Sequence, residues 1–146
     1  MYTALLKSHS GMRWLLLIAI IASVIISLLA WRNKRPYIKQ HHLLYKGTVI
    51  LFHVQLVLGF VLYFLSPKVL FSPSMFKTQL FRYFTIEHSF MMLISVTLIT
   101  VGFSLSKRIS SPIELHKKIF YFFIGSLLIL LLGIPWPFLP YGGQWM

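Results

Sequence analysis

The 146-residue chain contains no cysteine and no aspartate, and it has only two acidic residues in all. The absence of cysteine excludes disulfides, thiolate metal sites and covalent haem attachment through a CxxCH motif. The absence of aspartate excludes a Ser-His-Asp triad. An HExxH zinc motif, a Walker loop, a GxGxxG fingerprint and a GxSxG elbow are missing as well. The common sequence signatures of hydrolases, nucleotide-binding enzymes and zinc proteases are therefore absent.

Charge is scarce, because only 11% of the residues are charged whereas 58% are hydrophobic. A soluble domain averages about 25% charged residues, so this composition predicts a membrane protein whose main partner is the lipid bilayer. The net charge of +12 raises the question of a nucleic-acid partner. However, the basic residues lie in short clusters between apolar runs and are not interleaved with stacking aromatics. We therefore expect no nucleic-acid binding.

Four apolar runs are long enough to span a membrane, since roughly 20 residues cross ~30 Å of hydrocarbon. None shows the two-residue alternation of a membrane barrel strand. The first run is too long for a secretory signal and lacks a small-residue cleavage site, so we expect it to be retained. Short linkers favour an up-down-up-down arrangement. The prediction is an all-α polytopic membrane protein, a single four-helix transmembrane bundle over residues 1–146, with helices at approximately 10–31, 46–65, 84–106 and 118–135.

The basic residues are distributed unevenly between the two sides of this bundle. The linkers after the first and third helices carry nine of the fourteen Lys and Arg residues, and the remaining five lie toward the other side. Basic residues are enriched in cytoplasmic loops. The distribution therefore predicts a multi-pass protein of the bacterial inner membrane with both termini on the periplasmic side.

Polar and small side chains form stripes on the predicted helices, at about 100° per residue. We expect these stripes to face the bundle interior, because helix packing in lipid depends on the close approach that small residues allow. The stripe on the first helix consists of His9, Arg13, Ser23 and Ser27, and that on the third of His88, Met92, Ser95, Gly102 and Ser106.

The second helix carries polar residues on two faces. Gln55 and Gly59 share one face with Thr48, whereas His53 points ~160° away from Gln55. Both polar residues cannot face the bundle centre. A polar side chain near mid-membrane needs a partner, so we interpret His53 as a structural residue or part of a second site.

Glu87 lies at the edge of the third apolar run, where a carboxylate is costly unless it is paired or protonated. We expect Arg13 or Arg82 within ion-pair distance, with Arg13 favoured because it shares the face of His9. The other histidines are expected to be solvated or to contact lipid headgroups. These are His41, His42 and His116.

Two imidazoles on facing helices commonly hold a non-covalent haem. The stripes suggest haem b with His9 and His88 as iron ligands, and with Arg and Lys residues at the outer edge near the propionates. Counted from the predicted helix midpoints, however, His9 lies ~18 Å and His88 ~9 Å above the membrane centre. His53 lies on the other side of the centre and would pair less well.

The alternative function is a non-catalytic accessory subunit of a larger inner-membrane complex, whose polar residues serve helix packing.

Four strings resemble a family of small bacterial four-helix membrane proteins labelled cytochrome b-like: HSGMRWLLL, FHVQLVLGFVLYFLSP, FTIEHSFMMLISVTLITVGFSLSK and IPWPF. The resemblance covers nearly the whole chain and the order of all four helices, and a looser one extends to one half of haem A synthase. It implies an electron-transfer component rather than a stand-alone enzyme, with quinone or other membrane subunits as partners. It also implies that the cofactor-binding positions are His9, Arg13, His53, Gln55, Glu87 and His88.

The predicted orientation can be tested with a reporter that is active only in the cytoplasm. Fused after Met146, the reporter should remain inactive, because the nine-to-five distribution of basic residues favours an external C-terminus. The same reporter inserted between Lys107 and Lys117 should be active. Strong activity of the C-terminal fusion would contradict the orientation or the number of spans.

Overall fold

The computed structural model describes residues 1–142, which form helices and connecting turns and contain no strand. The helices are α1 (Tyr2–Arg32), α2 (Lys39–Leu65), the short α3 (Gln79–Arg82), α4 (His88–Ser106) and α5 (Pro112–Gly133). A 3-10 turn covers Pro73–Lys77, and a π-helical turn, Tyr83–Glu87, joins α3 to α4. Four helical segments within the described residues are long and apolar enough to cross a membrane, the third being Gln79–Ser106. The predicted all-α, multi-pass four-helix fold is therefore confirmed.

Each span begins earlier than the apolar runs indicate, and the last one ends earlier. The apolar pattern marks only the part of a helix in hydrocarbon, whereas a helix continues through polar residues until its backbone is interrupted. Pro112 occupies the first turn of α5, where its missing N–H is not needed. At the other end, Ile134 is extended with ψ 129°, because the residue before a proline, here Pro135, disfavours helical geometry.

The four spans form a ring in which α1 packs against α2 and α5, and α4 packs against the same two helices. As a result, α1 and α4 stand diagonally opposite across the bundle axis. The buried core between them is aliphatic and aromatic. Its most enclosed members include Leu16, Ile20, Phe52, Ile99, Ile119 and Phe123.

Small residues bring the helices together as the stripes predict. Ser95 and Ser126 each donate a hydroxyl to the other's backbone carbonyl at 2.8 Å, which links α4 to α5. Ser23 and Thr48 join α1 to α2 through hydroxyls 2.9 Å apart. These four residues are buried, so their hydroxyls cannot form hydrogen bonds to water. The hydrogen bonds between the helices satisfy them instead.

Gly102 provides the sharpest test of this packing. A Cβ there would lie 2.2 Å from Cβ of Phe122 on α5, whereas a Cβ at Gly47 would have no neighbour within 4 Å. We expect Gly102→Ala to destabilise the protein by about 1–3 kcal/mol through overpacking. Gly47→Ala should instead be neutral or stabilising by up to about 1 kcal/mol, because alanine favours helix. Thermal unfolding in detergent measures both, and equal effects would show that the α4–α5 contact is not tight.

Candidate functional site

A polar site lies where α1 and α4 begin and where α2 and α5 end. Gln55 of α2 donates its side-chain Nε2 to the backbone carbonyl of His9, at 2.9 Å. The His9 ring packs on Gly59, where an added Cβ would lie 3.1 Å from the ring's Cε1. The predicted face of α2 therefore meets the predicted stripe of α1, and Gly59 leaves room for the imidazole.

His88 is held by the C-terminal end of α5. Its Nδ1 lies 2.6 Å from the carbonyl oxygen of Gly133, and since a carbonyl only accepts, Nδ1 carries the proton. In the neutral form of the ring, Nε2 is then the unprotonated nitrogen. Gly133 is the last residue of α5, so its carbonyl has no partner in its own helix. The same oxygen also accepts the hydroxyl of Tyr83, at 2.8 Å.

The π-helical turn directs Tyr83 and His88 to that one carbonyl. In an α-helix, residues five apart point ~140° away from each other. In a π turn, hydrogen bonds run between residues five apart and bring them onto one face. The irregular backbone is stabilised from α2, because Tyr63 donates its hydroxyl to the carbonyl of Thr85 at 3.0 Å. The π turn therefore sets the direction of the His88 imidazole.

Hydrogen-bonding capacity remains unused at this site. Nδ1 of His9 and Oε1 of Gln55 are buried and have no hydrogen-bond partner among residues 1–142. The Arg13 guanidinium, one turn along α1 from His9, lies 5.1 Å from the ring centroid of Trp14. Since buried polar atoms are nearly always paired, two such atoms in one place are typical of a site that accommodates another molecule.

The two imidazoles lie at different distances from the midpoints of their own helical segments. The midpoint of Tyr2–Arg32 is near residue 17, and that of Gln79–Ser106 is near residue 92. At ~1.5 Å per residue, His9 lies ~12 Å and His88 ~7 Å from these midpoints. Helix α1 is continuous through Gly11, so no unwinding before Gly11 brings His9 closer to His88.

Glu87 pairs with Arg82, whose Nε lies 2.6 Å from Oε1 of the carboxylate. The preference for Arg13 as its partner was therefore wrong. The reason is the π turn, which brings residues 82 and 87 onto one face. Because the two side chains are 44% and 37% exposed, this ion pair contributes little to stability.

His53 does not join the polar site. Its ring is exposed on the outer surface of the bundle, where Nδ1 donates to the carbonyl of Val49 at 2.8 Å. Its Nε2 lies 3.5 Å from the hydroxyl of Thr100 on α4. The ring thus bonds within its own helix and reaches toward the neighbouring one, as a structural residue does.

A second polar cluster, which the sequence analysis missed, lies at the opposite end of the bundle. His116 is fully buried, so the expectation that it is solvated was wrong. Its Nδ1 lies 3.1 Å from the hydroxyl of Tyr45, and its ring centroid is 4.8 Å from that of His41. The signal that would have found this cluster is the spacing of His41 and Tyr45, which lie four residues apart and so share one face of the first turns of α2.

His41 and His42 are half-buried in the same region. The hydroxyl of Tyr37 lies 3.2 Å from Nδ1 of His42. Burial raises the pKa of Tyr37, so its hydroxyl stays protonated and can donate to that nitrogen. Within residues 1–142 no three metal-ligating side chains come together here or elsewhere. Nε2 of His116 is buried and has no hydrogen-bond partner among these residues.

Comparison of the chain with protein-family models, curated proteins and solved structures found no match.

Tyr45 and His116 allow a matched test of the second cluster. Tyr45→Phe should destabilise the protein by about 1–3 kcal/mol, because it leaves Nδ1 of the buried His116 without a partner. Tyr121→Phe is the control, since Tyr121 is 54% exposed, and it should change stability by less than about 0.5 kcal/mol. Thermal unfolding in detergent measures both. An unchanged midpoint for Tyr45→Phe would mean that the hydrogen bond contributes nothing.

Proposed function

We propose that the protein is a b-type cytochrome-like electron-transfer component that holds a non-covalent haem between its helices. The observation that carries the proposal is the hydrogen bond that orients the His88 imidazole. Its Nδ1 donates to the Gly133 carbonyl, so that Nε2 is the unprotonated nitrogen of the neutral imidazole. Metal-ligating histidines are typically held in this way, with the second nitrogen donating to a carbonyl or carboxylate.

His9 is the proposed second ligand. Helices α1 and α4 are diagonally opposite, so His9 and His88 would hold a haem between two facing helices. His9 has a buried nitrogen without a partner in the described residues. The donor set therefore fits a haem iron.

The surrounding residues would hold and tune the cofactor. The Gly133 carbonyl orients His88 and increases the basicity of its ligating nitrogen. Gln55 fixes the backbone of α1 at His9, while the buried guanidinium of Arg13 supplies the positive charge that a haem propionate requires. When bound, haem supplies a one-electron couple. Glu87 would act indirectly, through its ion pair with Arg82.

The proposed setting is the bacterial inner membrane with both termini periplasmic, which would place the haem toward the periplasmic side. Electrons would be exchanged with quinone or with other membrane subunits. The competing function is a non-catalytic accessory subunit, and the presence of haem decides between the two.

An absorbance spectrum tests the proposal directly. Protein expressed with ample haem and purified in mild detergent should show a Soret band and, once reduced, a b-type visible spectrum. His88→Ala should abolish haem binding, because it removes the oriented ligand. His9→Ala should lose the bis-imidazole signature. His42→Ala is the matched control, since His42 lies in the cluster at the other end, and its haem content should stay at the level of the unmodified protein.

Two results would contradict parts of this proposal. A folded, monodisperse protein without a Soret band would favour the accessory-subunit function. If His53→Ala lost haem while His9→Ala retained it, the second ligand would be His53 and not His9.

A further inference from the structure

A groove lies at the end of the bundle opposite His9 and His88, between the end of α1 and the start of α5. Its volume is ≈ 460 Å³, which is within the range of ligand sites in proteins, roughly 300–1,000 Å³. Two of the lining side chains are basic and the others are apolar or aromatic. They are Leu28, Trp31, Arg32, Lys34 and Ile113.

The two basic side chains of this groove have no acidic partner among residues 1–142. The whole chain contains only two acidic side chains, and both are paired elsewhere. Glu87 pairs with Arg82, and Glu114 lies 3.7 Å from Nζ of Lys117. No glutamate or aspartate is left to neutralise Arg32 and Lys34.

The backbone at Lys34 is unusual. Its φ of 51° is the one positive value found at a non-glycine residue in the described part of the chain. It ends α1 with a Schellman turn, in which the N–H of Arg35 bonds to the carbonyl of Ala30 at 2.9 Å and that of Lys34 to Trp31 at 3.2 Å. Glycine is the usual residue at this position, because a side chain in the left-handed region is strained.

Strain of this kind is commonly retained where the side chain has a function. A glycine would form the same turn with less backbone strain but would remove the ammonium group from the groove. A function for this positive charge in the groove therefore explains why lysine, and not glycine, stands at this position.

We propose that this groove binds the phosphate of an anionic phospholipid from the leaflet at this end of the bundle. Arg32 can bond two phosphate oxygens through its planar guanidinium, and Lys34 adds a second positive charge. Leu28 and Ile113 provide apolar surface for the first acyl carbons. Trp31 is of the type enriched at the level of the headgroups, and basic pockets between membrane helices recognise anionic headgroups in the same way.

The proposal can be tested on the full chain in a neutral detergent. The thermal unfolding midpoint is measured against increasing phosphatidylglycerol, with phosphatidylcholine of the same acyl chains and inorganic phosphate as separate additions. We expect phosphatidylglycerol to raise the midpoint, and the other two to leave it nearly unchanged. Lys34→Gly and Arg32→Gln should each raise the half-saturating phosphatidylglycerol concentration about tenfold, because a charge-assisted hydrogen bond is lost.

Lys34→Gly has a second expected effect that separates binding from folding. Without lipid, its unfolding midpoint should equal or exceed that of the unmodified protein, because glycine relieves the left-handed strain. Lys39→Gln is the matched control, since Lys39 is exposed at the same end of the bundle but does not line the groove. This control should shift the half-saturating concentration by less than about twofold.

Three results would overturn the proposal. An effect of Lys39→Gln as large as that of Lys34→Gly would show diffuse attraction by the basic face. Equal stabilisation by phosphatidylcholine would show an apolar groove without charge recognition. Equal stabilisation by inorganic phosphate would identify a free phosphate ion, not a lipid, as the ligand.

Discussion

A polar atom in hydrocarbon must find its hydrogen-bond partner within the protein, and most of this structure follows from that requirement. Ser95 and Ser126 satisfy each other across α4 and α5, which holds these helices at short distance. The carbonyl of Gly133, left over at the end of α5, takes up two donors at once. The same requirement makes the unpaired atoms of His9 and Gln55 informative, because the two atoms lie at one end of the bundle. Nε2 of the buried His116, at the other end, is also unpaired among residues 1–142.

The stripes of small residues could be predicted, because periodicity and residue size alone place Ser95 and Gly102 on a packed face. The helix ends could not, since a helix continues past its apolar residues until a proline or a cap stops it. The π turn was equally unpredictable, because it depends on tertiary partners. Tyr63 donates its hydroxyl to the carbonyl of Thr85 in this turn, and no local pattern predicts that contact. Of the two arginines expected near Glu87, the partner is therefore Arg82 and not the favoured Arg13.

The burial of His116 shows a different limit of sequence reasoning. A histidine beside two lysines at the start of a helix is normally solvated, and composition gives no reason to think otherwise. Its environment is created by Tyr37, just before α2, and by His41 and Tyr45 in the first turns of α2, all more than seventy residues earlier in the chain. A correct assignment needs the side-chain contact between the start of α2 and the start of α5 across the bundle, which only the folded protein supplies.

The shortage of acidic residues links the two ends of the molecule. Fourteen basic side chains face two glutamates, and each glutamate lies within five residues of the cation it pairs with. The chain therefore cannot neutralise most of its own charge, and anions must come from outside it. At one end the proposed anion is a haem propionate near Arg13, and at the other a lipid phosphate beside Arg32 and Lys34. Both proposed sites place an anion beside basic side chains of a chain that has few acidic residues.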